Sequence, residues 1–370
     1  MPMDGFTLGF AARELDRLLA GGRIDRVAQP ERDELILTVR NGGRNMLLLL
    51  SASADCARAH ITEVKKNNPL EPPALCMLLR KRIVGGRVTG VTQIDCDRIL
   101  EIGIEHRDEL GDLTCDRLVC EFMGRHSNLI LVDQQGRIAD SARRVNETMS
   151  SVREVLPGLR YERPPAHGKI PFDGVTETAL LQAMSGQGGT LRSVIARCVS
   201  GMSAVTAAEL AYRATGNEDA HMDEIHLESV CASLAEQFRR LPESAAPGVL
   251  YGEDGAPVDV NAFVYESRRT LQRKDFSTLS EALDEYYRAK DQTERIRQKS
   301  QNIHRVLKNN IERCRKKLAL QNDALQGAAR MDEYRRYGEL ITASQHLIRK
   351  GMKVCALPDY YAEGMPMVDV

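Results

Sequence analysis

The sequence lacks the patterns that hold metals and disulfides. No Cys-x-x-Cys pair and no pair of histidines at zinc-ligand spacing occurs in its 370 residues. The nine cysteines are odd in number and lie mostly in apolar runs, which is typical of small buried side chains in a reducing compartment. Since no nucleophile motif is present either, we expect no metal, no cofactor and no catalytic residue.

Long apolar runs and a large excess of charge are also missing. No apolar run reaches the roughly 18 residues that a membrane helix needs, and no basic segment followed by an apolar one resembles a secretion signal. We therefore predict a cytoplasmic protein with no membrane partner. The net charge is only −1, so any contact with nucleic acid must come from a local patch.

The sequence does contain a repeat near its start. A helix-like segment over residues 6–20 ends at Gly21-Gly22, and the segment ALCMLLRKRIV ends at Gly85-Gly86. In both copies Gly-Gly-Arg precedes a short strand, a polar turn and an apolar strand, and Asp33 and Asp97 take the same place in the turn. The repeat predicts two similar αββ halves packed together.

Strand and helix signals then follow in blocks. Apolar runs joined by tight turns predict antiparallel strands at 115–123, 127–133 and 137–145. A helical stretch comes next, and hairpin character returns at 248–266, so the helices are interpreted as an insertion. The predicted fold class is α+β. The predicted domains are 1–174 and 245–280 as two parts of one domain, 175–244 as the insert, 281–350 as an arm, and 351–370 as the start of the arm tip.

The predicted arm has the spacing of a coiled coil. No glycine or proline occurs between Leu279 and Leu325, and apolar residues there recur every three, four or seven positions. A coiled coil needs a partner helix, and residues 331–348 are too few to supply one. We expect the pairing helix to lie beyond Val370, which would make this chain a fragment.

The arm is also strongly basic. Between Arg288 and Lys317 there are eleven Lys or Arg residues and three acids. Such a stripe attracts phosphate chains, and the alternative is the solvated exterior of a coiled coil. The residues assigned to ribosome or RNA binding are Arg295, Arg297, Lys299, Arg305, Lys308, Arg313, Arg315, Lys316 and Lys317.

Two short segments carry side chains suited to RNA. Asp97-Arg98 places a carboxylate acceptor beside the planar donor fork of arginine, although a turn ion pair is the simpler explanation of the dipeptide alone. Residues 121–128 gather a cation, an imidazole, a hydroxyl and an amide, with a polar hairpin tip as the alternative. The candidates in this second segment are Glu121, Met123, Arg125, His126, Ser127 and Asn128.

The insert and the N-terminus carry weaker signals. Residues 194–214 have the layout of a helix-hairpin-helix, with Ser200-Gly201 at the hairpin. From Ser200 to Glu236 there are seven acids and one base, so we favour a structural or protein-docking role over phosphate contact. Pro2 suggests the Schiff-base amine of some DNA glycosylases, but the neighbouring glutamate expected there is absent.

Long segments of the chain resemble one family. They are MDGFTL, GGRIDRVAQPERDELILTVR, KKNNPLEPPALCMLLRKRIVGGRV, EFMGRHSNLILVD and REVLPG. All resemble the NFACT-N domain of the RqcH/NEMF family, many of whose members are called fibronectin-binding protein A. The resemblance implies a two-lobed NFACT-N domain similar to the N-terminal architecture of formamidopyrimidine-DNA glycosylase, with an inserted helix-hairpin-helix domain and a long coiled-coil arm.

The resemblance also implies a function. Such proteins bind large (50S) ribosomal subunits obstructed by a nascent chain on peptidyl-tRNA, and they recruit tRNA, with tRNA-Ala the expected species. The subunit then adds C-terminal alanines without a template, so the factor is an adaptor and not an enzyme. Asp97-Arg98 matches the family's Asp-Arg pair for tRNA recognition, and residues 121–128 match a segment expected near it.

The sequence departs from the family pattern and leaves alternatives. The family's returning coiled-coil helix and its C-terminal NFACT-R domain have no match here. One alternative function is a DNA glycosylase-like nucleic-acid-binding protein that uses Pro2. Another is a fibronectin-binding surface adhesin, which the missing secretion signal and the cysteine usage argue against.

Overall fold

The structure is a computed structural model of the 370-residue chain. It describes residues 3–108, 110–165 and 168–370, with the side chains of 289, 291–299, 302 and 329 left aside. Pro2 and the side chains of Arg295, Arg297 and Lys299, for which roles were predicted, therefore lie outside the described residues. The chain forms two compact units, Met1–Glu294 and Arg295–Val370.

The first unit begins with a helix and an antiparallel meander. Helix α1 (Gly5–Leu19) is capped by Asp4, whose side chain accepts the Thr7 N–H, and it buries an almost continuous apolar face. The helix ends where Gly21 takes a positive φ. The meander consists of β1 (Arg23–Glu31), β2 (Glu34–Asn41), β3 (Arg44–Ser51) and β4 (Arg58–Thr62).

A second helix and meander repeat this order. The elements are α2 (Ala74–Ile83), β5 (Arg87–Gln93), β6 (Ile99–Arg107), β7 (Leu113–Glu121), β8 (Asn128–Val132) and β9 (Ile138–Ser141). Within the described residues the two meanders form one nine-stranded antiparallel sheet of order β4-β3-β2-β1-β5-β6-β7-β8-β9. The predicted repeat is confirmed, and its two copies meet in the middle of the sheet at β1 and β5.

The two Gly-Gly-Arg motifs hold this meeting point through a glycine clasp, formed by residues 21–24 and 85–88. Arg23 lies opposite Arg87, and backbone hydrogen bonds join the copies reciprocally. Ile24 N–H donates to Gly86 O at 2.8 Å, and Val88 N–H donates to Gly22 O at 2.8 Å. A Cβ on Gly22 or Gly86 would lie within about 3 Å of a carbonyl oxygen of the preceding helix, so neither position accepts a side chain.

The inserted helices pack on α1. They are α3 (Glu177–Met184), α4 (Leu191–Cys198), α5 (Ala204–Thr215) and α6 (Leu227–Arg240), followed by a small sheet of β10 (Gly248–Tyr251), β11 (Pro257–Asn261) and β12 (Gln272–Asp275). Phe6 of α1 makes edge-to-face contacts with Phe172, Phe238 and Phe263. Since these rings come from before, within and after the insert, one core joins all three parts.

Buried carboxylates tie distant segments together. Besides capping α1, Asp4 accepts the Ser203 N–H at 3.0 Å, so one side chain serves the first turns of both α1 and α5. Glu209 of α5 is fully buried and accepts the backbone N–H groups of Glu266 and Ser267 at 2.8 and 3.0 Å. These charge-assisted bonds hold the insert against the chain that follows it.

Both outer strands of the large sheet are covered. Helix α7 (Leu279–Ala343) begins against β4, where Ser280 Oγ accepts the Ile61 N–H at 3.0 Å. The α7 residue Asp284 accepts the Glu63 N–H at 2.9 Å and the Thr62 hydroxyl at 2.6 Å. At the other edge, Ile138 of β9 pairs with the loop that contains Leu159, through an N–H···O bond of 2.8 Å. Edge groups that would attract another strand are thus occupied.

The second unit contains the rest of α7 and a small hairpin, β13 (Ala356–Pro358) and β14 (Met367–Asp369). We expected the helix to break near residue 325, but α7 continues to Ala343. Its glycines, Gly327 and Gly338, lie among strong helix formers that offset their cost of about 1 kcal/mol each. The guanidinium of Arg336 binds the buried carboxylate of Asp359, which fixes the hairpin to the helix.

The α+β fold with a large antiparallel sheet is confirmed, whereas three finer expectations stay predictions: the domain boundaries, the glycosylase similarity and the coiled coil. Across the described part of the chain, no second helix runs along α7. Its apolar positions Ile303, Leu307, Ile311, Leu318 and Leu325 are exposed. No described helix combines the length and apolarity required to cross a membrane.

The contact between Asp284 and β4 predicts a pH-dependent stability. Burial opposes ionisation of Asp284, but hydrogen bonds from His60, Thr62 and the Glu63 N–H outweigh it and lower the pKa to about 2. An unfolded aspartate has a pKa of about 3.9, so this group stabilises the fold above pH ~4 by about 2 kcal/mol and loses that effect as the pH falls towards 2. We expect Asp284→Asn to lower the free energy of unfolding at pH 7 and to differ less from wild type at pH 3, measured by urea denaturation.

Asp275→Asn is the matched control, because Asp275 pairs with Arg273 on the surface of the same unit. Its effect should stay below about 0.5 kcal/mol at both pH values. A difference between Asp284→Asn and wild type that does not change with pH would contradict the prediction.

Candidate nucleic-acid interface

The Asp97-Arg98 dipeptide lies in the turn between β5 and β6. Asp95 and Cys96 have φ values of 50° and 55°, which is the left-handed region that non-glycine residues seldom adopt. The turn is closed by Asp97 N–H donating to Ile94 O at 2.9 Å, and the Asp97 carboxylate accepts the Arg98 N–H at 2.7 Å. The expected ion pair is therefore replaced by a side-chain-to-backbone bond that positions both residues.

Close packing holds this strained turn. A Cβ on Gly5 would lie 2.6 Å from the Cys96 carbonyl oxygen and 2.6 Å from the Gly201 Cα. The Gly5 N–H donates to Gly201 O at 2.7 Å. Burial raises the pKa of the Cys96 thiol to about 12, so this cysteine serves as an uncharged packing group. The start of α1, the β5–β6 turn and the insert's hairpin thus meet at a point where only glycine leaves room.

A cavity of about 550 Å³ opens beside the turn, and we call it the apolar hollow. Its floor and rim include Met123, Val145, Met149, Val152, Val155, Pro164 and Pro165, and its polar residues are Asp97, Arg98, Glu121, Arg125, His126, Asn128, Arg143, Ser150 and Arg153. An apolar surface with arginines around it suits a flat, unstacked base together with its phosphate.

Glu121 lies behind the wall of the apolar hollow. Its side chain is fully buried, forms an ion pair with Arg153 and accepts the Tyr161 hydroxyl at 2.8 Å. Burial, and then the nearby Glu121 charge, raise the pKa of Tyr161. Arg153 also donates to Glu162 O at 2.7 Å. Glu121 therefore orients Arg153 and the loop that bears it, and its own carboxylate is occupied.

Asn128 and Ser127 are buried at the end of the same loop. The Asn128 amide donates to Arg143 O at 2.8 Å and accepts the Arg143 N–H at 2.9 Å. Asn128 thus holds Arg143 at the hollow instead of contacting a ligand. Ser127 is 1% exposed, and its hydroxyl has no hydrogen-bond partner among the described residues.

Arg125 and His126 form the exposed rim. They lie in a single 3-10 turn, Gly124–His126, that begins at a glycine of positive φ. Arg125 Nε donates to His126 Nε2 at 2.9 Å, which requires the neutral imidazole with its proton on Nδ1. Arg143 contacts the Arg125 carbonyl, so this rim and the loop after β9 are joined.

A second cavity, of about 490 Å³, lies on the other side of the turn. We call it the hairpin hollow, because the Ser200–Ser203 hairpin of the insert forms one wall. The opposite wall holds Asp95, Arg163 and Lys169, and the two hollows share Asp97, Arg98 and Pro164. Asp95 and Arg163 form an ion pair at 3.1 Å on the rim.

The family described as NFACT N-terminal and middle domains matches residues 4–370 of this sequence. The chain belongs to this family. It is 35% identical to the Rqc2 homolog RqcH of Bacillus subtilis, a comparison that covers 100% of the chain and 63% of the relative. It is 30% identical to the RqcH of Streptococcus suis, over 98% of the chain and 61% of that relative. The NFACT chain therefore spans less than two thirds of the length of these relatives.

Solved structures agree with the fold. One is the N-terminal part of the fibronectin/fibrinogen-binding protein from Streptococcus suis, with 31% identity, a TM-score of 0.65, and coverage of 78% of this chain and 99% of that one. Another is the fibrinogen binding protein from Staphylococcus aureus, with 25% identity, a TM-score of 0.67 and the same coverage. Both support an NFACT-N domain with a large antiparallel sheet.

The structure brings the predicted RNA-contacting residues together at one place. Asp97, Arg98, Glu121, Met123, Arg125, His126 and Asn128 all line the apolar hollow, and Ser127 is buried beside it. Sequence reasoning missed the opposite wall, which is formed by Arg143, Arg153 and the apolar residues between them. The available signal was the unusual placing of Met149 and Val152 in a polar loop, where both are exposed.

The predicted basic stripe of the arm is partly described. Arg305, Lys308, Arg313, Arg315, Lys316 and Lys317 are exposed on α7. The acid Glu312 lies among them, so the stripe keeps a clear positive excess over these turns. An exposed cationic helix face of this kind is available to a phosphate backbone.

The burial of Glu121 predicts a mainly structural role for its charge. Glu121→Gln keeps the size of the side chain but removes the partner of Arg153, whose side chain is only 15% exposed. We expect it to lower the free energy of unfolding by about 2–4 kcal/mol, as breaking a buried ion pair does. The measurement is urea denaturation at pH 7.

Glu101→Gln is the control on the neighbouring strand, since Glu101 pairs at 3.0 Å with a more exposed arginine, Arg117. Its cost should remain below about 1 kcal/mol. Equal costs for the two variants would show that Glu121 does not hold the wall of the hollow.

Proposed function

We propose that this chain is the tRNA-binding part of a cytoplasmic ribosome-associated quality-control factor. In this proposal it binds large (50S) ribosomal subunits obstructed by peptidyl-tRNA and recruits tRNA, with tRNA-Ala the expected species, for template-free alanine tailing. The bond-forming chemistry belongs to the subunit, so the chain acts as an adaptor rather than an enzyme. Membership of the NFACT family and the likeness to RqcH proteins support the proposal.

The observation that carries the tRNA part is the apolar hollow. Arg98, Arg125 and Arg143 provide donor forks around a surface formed by Met123, Met149 and other apolar side chains. Sequence-specific RNA recognition uses unstacked loop bases, which stack on apolar or guanidinium surfaces and expose hydrogen-bonding edges. The apolar hollow offers both kinds of contact, so an anticodon loop is a suitable ligand.

The function named for other relatives is less well supported by this site. Two solved relatives are named for binding fibronectin or fibrinogen. An arginine-rimmed hollow of nucleotide size is better explained by RNA than by an extended protein ligand. We therefore favour the tRNA function.

Arg98→Ala tests the tRNA function directly. Arg98 is partly exposed at the junction of both hollows, so the substitution should remove RNA contacts while the fold persists. In filter binding with a pool of tRNAs, we expect wild type to enrich particular tRNAs and Arg98→Ala to lose roughly tenfold or more of that preference. Arg192→Ala, on an exposed surface pair with Asp219, should behave as wild type.

Equal enrichment by wild type and Arg98→Ala, at two salt concentrations and with unchanged thermal unfolding, would overturn the tRNA assignment. Binding that responds only to salt would show that the contact is non-specific charge.

The arm part has its own test. Replacing Arg313, Arg315, Lys316 and Lys317 with Gln should weaken co-sedimentation with 50S subunits and reduce the slope of log affinity against log salt by up to ~0.9 per lost phosphate contact. The matched control replaces Arg330, Arg349, Lys350 and Lys353 of the same unit, which lie outside the stripe. If both sets weaken binding equally, the stripe has no special role.

A further inference from the structure

The two hollows lie on either side of one short wall. Asp97, Arg98 and Pro164 face both the apolar hollow and the hairpin hollow. The volumes, about 550 and 490 Å³, are similar, and both lie in the range of pockets that enclose small organic ligands. A strand that places one nucleotide in the apolar hollow therefore brings the next nucleotide to the hairpin hollow.

The hairpin hollow differs in chemistry from its neighbour. It contains the carboxylates of Asp95 and Asp97 as acceptors, and the Arg163 guanidinium as a donor. The backbone N–H groups of Gly201 and Met202 have no acceptor among the described residues, and both residues line this hollow. Donors and acceptors therefore stand on facing walls.

The charges in the hairpin hollow disfavour a phosphate as its occupant. Asp4, Asp95 and Asp97 equal Arg98, Arg163 and Lys169 in number. Lys169 already donates one hydrogen bond to Ala196 O at 2.7 Å. The Asp4 carboxylate is occupied by the first turns of α1 and α5. A neutral, mixed set of this kind matches the edge of a base better than it matches an anion.

Guanine is the base with the best match. Its N1–H and N2–H₂ donors lie side by side and bind one carboxylate in two places, while its O6 and N7 acceptors suit an arginine fork or N–H donors. The Asp95–Arg163 pair offers a carboxylate and a guanidinium 3.1 Å apart on an open rim, and exposed ion pairs of this kind cost little to separate.

We propose that the hairpin hollow is a second base-binding subsite, which takes a guanine next to the nucleotide held in the apolar hollow. Asp95 accepts from the guanine N1 and N2 donors, and Arg163 with the Gly201 and Met202 N–H groups donates to its acceptors. This inference rests on the proposed RNA-binding function, and it adds that the site binds two consecutive nucleotides with different selectivity.

The test is a selection from RNA hairpins with a fully randomised loop, using the whole chain. Wild type should enrich guanine at one loop position, next to a position that tolerates any base but loses affinity when made abasic, since stacking is sequence-tolerant. Asp95→Asn and Arg163→Gln should each reduce the guanine preference roughly tenfold while sparing the requirement for the neighbouring base. Asn tolerates the positive φ of position 95, and Arg192→Gln is the control.

Each outcome separates the two proposals. If Arg98→Ala reduces loop binding but wild type shows no guanine preference, the second subsite is wrong and the RNA function stands. If the guanine preference survives both Asp95→Asn and Arg163→Gln, it does not arise in the hairpin hollow. If wild type and Arg98→Ala select the same loops equally, both proposals are overturned.

Discussion

The glycine clasp between β1 and β5 is the constraint on which the arrangement of the first unit depends. Each Gly-Gly pair ends a helix and then lets the backbone of the other copy approach within hydrogen-bond distance, as in the 2.8 Å bonds of Ile24 and Val88. A side chain at either second glycine would meet a carbonyl oxygen of its own helix. Because the clasp sets the position of β5, it also sets the turn after β5, and both hollows are built around that turn.

Buried carboxylates then connect segments that are far apart in the sequence. Asp4 joins α1 to α5, Glu209 joins α5 to residues 266–267, and Asp284 joins α7 to β4. Each accepts several donors, so the cost of removing its charge from water is offset by charge-assisted bonds. Glu121 does the same for the wall of the apolar hollow through Arg153. The acids thus determine geometry, and the arginines remain for a ligand.

Local patterns predicted much of this. The repeat identified the two halves of the sheet, and the Asp97-Arg98 and 121–128 segments lie at one hollow. The sequence did not show that Glu121 is buried, because a glutamate at a strand end is ordinarily exposed. It also suggested a strand to residue 145, whereas Asn128 draws the backbone of Arg143 out of the sheet after Ser141. Such long-range contacts leave no local periodicity, so the opposite wall of the hollow was missed.

The covering of β4 by the first turns of α7 has a further consequence. A sheet edge that loses its cover presents a row of unsatisfied N–H and C=O groups on which another chain adds as an extra strand. Ser280 and Asp284 occupy those groups here, although they belong to the helix that leads into the second unit. The start of the arm is therefore also a guard against aggregation of the NFACT-N sheet, and proteolysis before Leu279 would expose a sticky edge while leaving the nine-stranded sheet itself complete.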